Sequence, residues 1–106
     1  MTINGVSQTT GLEQLVDVSH AEDGLRLRIR DRKPGSDWVD LIIPADPFMT
    51  VLSEQPTGSH RIAGNDGKVL EVEVRRNEVM LSLGGPDAAV GLDDLMDAVA
   101  GALSSA

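Results

Sequence analysis

Apolar and polar residues alternate with period two most regularly over 69–83, VLEVEVRRNEVMLSL. Leu70, Val72 and Val74 fall on one face of an extended strand, and Glu71, Glu73 and Arg75 on the other. With Arg76 and Asn77 as the loop, Val74 faces Val79, Val72 faces Leu81, Leu70 faces Leu83, and Arg75 lies opposite Glu78. Period, register and charge therefore agree on a hairpin. A primed two-residue turn wants positive φ, which Asn accepts more readily than Arg.

The same period marks 25–30, LRLRIR, with Leu25, Leu27 and Ile29 inward and Arg26, Arg28 and Arg30 outward. Val39, Leu41 and Ile43 resume it after a break holding Pro34 and Gly35. A two-residue loop at Pro34 and Gly35 would set Ile29 against Asp40, an inward residue against an outward one. The loop must be longer or bulged, which brings Ile29 opposite Val39 or Leu41. A short strand is expected over 59–63, then a turn at Gly64-Asn65-Asp66-Gly67.

Period 3.6 appears at 92–102, where Leu92, Leu95, Met96, Val99 and Leu103 form a stripe and Asp93 and Asp94 occupy the first turn. Asp46-Pro47 opens a shorter helix near 47–53 with Phe48, Val51 and Leu52, ended by Pro56 and Gly58. Residues 1–9 are polar and expected to be flexible. Residues 11–19 fit a helix opened by a Thr10/Glu13 capping box, or a strand carrying Val16 and Val18. One helical turn leading into a strand at 16–19 is favoured. Ala21, Glu22, Asp23 and Gly24 then make a turn. Gly84, Gly85 and Pro86 break the sheet, and Asp87 caps a turn over 88–90. The expectation is a single α+β domain over 1–106. It has a four- to six-stranded, mainly antiparallel sheet, the C-terminal helix on one face and the short helix beside it, in the order β-β-β-(short α)-β-β-β-α. No internal repeat is evident.

Composition changes this picture in three places. Trp38 and Phe48 are the only aromatics, so the core is aliphatic and an aromatic platform for stacking nucleic-acid bases is lacking. The net charge of -8 repels phosphates and anionic membranes and favours a basic partner. The absence of cysteine removes disulfides, thiolate chemistry and Cys-ligated metals, and fits a cytoplasmic, reducing setting. No apolar run reaches membrane-spanning length, and the start MTINGVSQTTG has no signal-peptide character.

Candidate chemistry is sparse. His20 and His60, with Asp17, Asp23 or Asp66, form no spaced ligand set. Ser59, His60 and Asp66 have the residue types of a triad without a nucleophile elbow, and Gly64–Gly67 lacks the ending of a phosphate loop. Asp93, Asp94 and Asp97 read as a solvated helix face. No catalytic, cofactor-binding or metal residue is assigned.

Two surfaces remain. Arg26, Arg28 and Arg30 would lie along phosphates if free, or pair with Glu71, Glu73 and Asp40 if an acidic strand is adjacent; pairing is favoured. Trp38, Ile42 and Met80 point to the sheet's second face and would make a partner or self-association patch if they cluster. A sheet followed by a C-terminal helix is similar in outline to single-stranded-DNA-binding transcriptional coactivators. No functional residue matches, and the aromatic content and charge oppose that use. The expected function is non-enzymatic protein binding, by a small acidic adaptor, inhibitor or immunity-type protein. The alternatives are a nucleic-acid-binding regulator working through the Arg strand and a small enzyme with a dispersed site.

Overall fold

A computed structural model describes residues 1–22, 24–54 and 58–104. Asp23 and Pro56, expected in a turn and at a helix stop, lie outside them. Eight antiparallel strands form one sheet. The strands are β1 (Thr2–Val6), β2 (Glu13–Ala21), β3 (Gly24–Asp31), β4 (Val39–Ile43), β5 (Ser59–Ala63), β6 (Val69–Val74), β7 (Glu78–Ser82) and β8 (Asp87–Gly91). Helix α1 (Ala45–Glu54) follows β4 and α2 (Leu92–Ser104) follows β8. The spatial order is β4-β3-β2-β1-β8-β7-β6-β5.

This is a nearly closed, barrel-like sheet, and it overturns the expected open sheet of four to six strands. The strands that sequence patterning did not assign are β1 and β8, and β2 is longer than foreseen. Residues 2–6, expected to be flexible, are β1. Residues 87–91, expected to be a capped turn, are β8, in which Asp87, Ala88, Ala89 and Val90 are buried. The Thr10/Glu13 helix does not form: residues 13–21 are strand throughout, and the Thr10 hydroxyl instead accepts from Leu12 N–H at 3.3 Å in the preceding turn.

The element order is ββββα twice over, with a 3-10 turn at Asn65–Gly67 inserted in the second half. Both halves lay their strands in the same descending order, 4-3-2-1 and 8-7-6-5, and β1 meets β8 at the join through Val6 and Ala89. Helix α2 packs chiefly on β2 of the first half and also reaches β1, β3, β7 and β8, while α1 packs on β5 of the second half. Helix α2 thus spans both halves, and the apolar face of the first half is covered by a helix of the second.

Patterning within strands holds well. Leu25, Leu27 and Ile29 are fully buried. They pair with Ile43, Leu41 and Val39 through the long loop that the register required. The hairpin pairs Val74 with Val79 and Val72 with Leu81, while pairing stops before Leu70 and Leu83. Arg75 and Glu78 exchange backbone hydrogen bonds at 2.8 and 3.4 Å, so Arg76 and Asn77 are the loop. Among described non-glycine residues only Asp66 has positive φ, so this turn is not a primed one. Asn77 carbonyl accepts from Leu92 N–H at 2.9 Å, which ties the hairpin tip to the start of α2.

The core lies on the concave side of the sheet, between strands and helices. Helix α2 presents Leu92, Leu95, Ala98, Val99 and Ala102 to it, with Leu103 half-buried. Met96, expected in the stripe, is 39% exposed. The small Ala98 and Ala102 let the helix approach β2 closely, which rotates the buried face away from Met96.

The gap between β4 and β5 carries no strand pairing and is closed by the 3-10 turn. Asn65 Oδ1 accepts from Ile42 N–H at 3.0 Å, and Lys68 Nζ donates to Asp40 carbonyl at 3.2 Å. A side-chain amide thus replaces a ladder bond and blunts the β4 edge.

The first turn is fixed to β8 by a buried carboxylate. Ser7 Oγ donates to Asp87 Oδ1 at 2.7 Å and Gln8 N–H to Oδ2 at 2.9 Å. Burial alone would raise the Asp87 carboxyl, but the bonds from Ser7, Gln8 and Thr9 hold it below its ordinary value. A lowered folded-state value means that the contribution is present above the unfolded carboxyl value, near pH 4, and fades as pH falls through and below it. Asp87→Ala is expected to cost about 2 kcal/mol at neutral pH, since it leaves the buried Ser7 hydroxyl and the Gln8 N–H without this acceptor. Urea titrations across pH should show a flatter acid limb for Asp87→Asn than for wild type. Identical limbs would refute this role for Asp87.

Candidate functional site

Sequence patterning pointed to the outer sheet face, where register places a row of charged residues. Thr2, Asp17, Arg28 and Asp40 lie opposite one another across β1, β2, β3 and β4. Arg28 donates to Asp17 Oδ2 from Nε at 3.2 Å and Nη2 at 2.8 Å, and Thr2 Oγ1 donates to Oδ1 at 3.0 Å. The Met1 amino nitrogen lies 3.5 Å from Asp17 Oδ1. Burial would raise the Asp17 carboxyl, but the bonds from Arg28 and Thr2 and the charges of the Met1 amino group and Arg28 bring it below its ordinary value. Arg26 donates to Asp40 Oδ2 through Nε and Nη2, and this bond lowers the Asp40 carboxyl.

The Arg stripe is therefore largely paired, as expected, but not with all the expected partners. Asp40 takes part. Glu71 and Glu73 do not, because β6 lies between β5 and β7 and never adjoins β3. Those glutamates meet Arg61 at 3.8 Å and Arg75 at 3.2 Å. Arg28 and Arg30 set their guanidinium carbons 4.7 and 5.0 Å from the centre of the Trp38 ring. Trp38 is thus covered by two arginines of the neighbouring strand, in cation–π geometry. Arg30 Nε is buried without a hydrogen-bond partner.

Trp38, Ile42 and Met80 are not brought together. Ile42 is half-buried opposite Arg26 on β3. Met80 is half-buried on β7, between Glu73 and Ala89, and β7 does not neighbour β4. The histidines are likewise apart: His20 is exposed near the end of β2, and His60 stands on β5 opposite Val72. Among the described residues no three His, Cys, Asp or Glu side chains form a metal-binding group.

The opposite side of the molecule holds a feature that patterning missed. A groove of about 130 Å³ runs between α1 and α2, lined by Met49, Leu52, Ser53, Met96, Val99 and Ala100. Leu52 and Val99, each 2% exposed, form its floor, and Met49 and Met96, 38% and 39% exposed, form its walls. Beside it, and sharing Met49 and Ser53, lies a depression lined by Asp46, Thr50 and Glu54. On α2, Asp93, Met96, Asp97 and Ala100 follow the spacing i, i+3, i+4, i+7 and are all exposed, so the carboxylates flank the methionine on one stripe. The two helices carry five acids, Asp46, Glu54, Asp93, Asp94 and Asp97, and no Lys or Arg. All nine cations of the chain sit on strands and their connections, from Arg26 to Arg76. Folding thus separates charge into a mixed sheet face and an acidic helix face. The signal for the groove was present in α2: Leu92, Leu95, Ala98, Val99 and Ala102 are as helical in spacing as the stripe that included Met96, but alanines carry little weight in an apolar pattern.

Among the described residues no helix is long and apolar enough to cross a membrane. Comparison of the chain with protein-family models, with curated proteins and with solved structures finds no match.

Proposed function

We propose that this chain is a non-enzymatic protein-binding protein, a small acidic adaptor or inhibitor, acting in a reducing compartment such as the cytoplasm. The supporting observation is the helix face: two exposed methionines over an apolar floor, with five acids and no Lys or Arg on the two helices. Methionine side chains adapt to varied apolar partners, and single-sign charge steers an oppositely charged one. The sheet face supports the reading less, because Arg26 and Arg28 already hold Asp40 and Asp17 and the arginines screen Trp38.

Affinity capture from native lysate at gentle salt is expected to retain a specific protein partner that elutes as salt rises. Return of no protein would sink the reading. A low-salt mobility shift of single-stranded nucleic acid that Arg28→Glu weakens would replace it with the nucleic-acid alternative.

A further inference from the structure

Resting on the protein-binding reading, we infer that the groove between α1 and α2 docks a cationic amphipathic helix of a protein partner. Three features of the groove select this occupant. The groove lies between two helices and, at about 130 Å³, has room for an apolar anchor side chain of an amphipathic helix laid across them. Its lining of Met49, Met96, Leu52, Val99 and Ala100 offers flexible walls over a fixed floor, suited to a row of apolar side chains at helical spacing. Its margins are acidic on both sides, with Asp46 and Glu54 in the adjoining depression and Asp93 and Asp97 on the α2 stripe. A helix with apolar residues on one face and Lys or Arg on its flanks seats an apolar anchor in the groove and meets each margin with the opposite charge.

The same charge disfavours the other occupants. A second copy of the chain would bring a second set of five helix acids against the first. An anionic membrane or nucleic acid would be repelled by them. An extended strand would need an open sheet edge, whereas here the neighbouring backbone groups are closed within helices.

Methionines make the test local, because Met49 and Met96 line the groove while Met80 lies on β7; Met1, whose sulfur sits beside Gly101 of α2, is not used as a control. The probe is a Leu/Lys peptide of about 15 residues with leucines at helical spacing. Its controls are the same peptide with Glu for Lys, and a Leu/Lys peptide of equal composition in strict alternation. In about 0.15 M salt, where long-range attraction is screened, methyl-labelled Met49 and Met96 should shift saturably with the first peptide while Met80 stays fixed. Met96→Glu should weaken binding about tenfold or more. Should Met96→Glu alter the urea midpoint, the double charge reversal Asp93→Lys and Asp97→Lys supplies the same comparison. Equal binding of the Glu peptide or the alternating peptide, an equal shift at Met80, or no saturable shift overturns the inference. So does a shift of Met49 and Met96 with protein concentration alone, which would seat a second copy in the groove. Lysate capture separates the two levels. A partner held equally by wild type and Met96→Glu removes the groove and leaves protein binding standing, and no partner for wild type removes both.

Discussion

Gly24→Ala is expected to cost about 3 kcal/mol or more, at or beyond the upper end of overpacking penalties. A Cβ at Gly24 would stand 2.0 Å from Ile43 carbonyl oxygen, 3.0 Å from its carbon and 3.2 Å from Pro44 Cα. All three atoms are backbone, so no side chain can swing aside. The strain would fall on the pairing of Leu25 with Ile43, both buried, and on the entry to α1 at Ala45. Gly35→Ala separates sterics from backbone conformation. Gly35 has φ of +87°, and a methyl group there would meet nothing within 4 Å, so the variant should lose only about 1–2 kcal/mol for its left-handed backbone. Urea denaturation of both variants, compared at constant m value, checks the pair. Equal losses would show that the close approach between β3 and the end of β4 relaxes freely.

How far the residues disclosed this architecture depends on side-chain size. The β3, β6 and β7 strands were legible because large aliphatics alternate with charges; Val74↔Val79 and Val72↔Leu81 follow from that alternation, and Ile29↔Val39 is one of the two pairings, with Val39 or Leu41, that it allowed. The join between halves was not legible because it is made of small residues. Gly5 reads as a flexible position, yet a Cβ there would lie 2.9 Å from both Ala89 carbonyl oxygen and Val90 Cγ1, so the glycine serves close packing of β1 against β8. Ala88 and Ala89 read as turn filler, yet they are buried in strand. Strand order explains the misassigned ion pairs. In the strand order β2 lies beside β3, so Asp17 is the neighbour of Arg28, and Glu71 and Glu73 are left to the other half. The groove escaped notice for a related reason. Its walls come from helices of different halves, and neither helix alone distinguishes a methionine that lines a channel from one that fills a core.

Phe48→Ala is expected to cost about 3–5 kcal/mol, a large part of the roughly 5–15 kcal/mol that holds a small domain folded. Phe48 is fully buried, is the only phenylalanine, and projects from α1 into a core otherwise made of aliphatic side chains. Its loss should not spread evenly. The β4 and β5 strands do not pair with each other, so α1 and the Asn65 turn supply the connection across that gap. Weakening α1 should therefore open the β5 edge before the rest of the sheet, and β5 amides should gain hydrogen exchange at denaturant concentrations where β2 and β3 remain protected. Met49→Ala, one residue along and 38% exposed, should change stability by only about 0.5 kcal/mol. Uniform acceleration of exchange across all strands in Phe48→Ala would mean that the gap is held by the sheet as a whole. Faster exchange confined to β5 would identify α1 as the latch of the barrel.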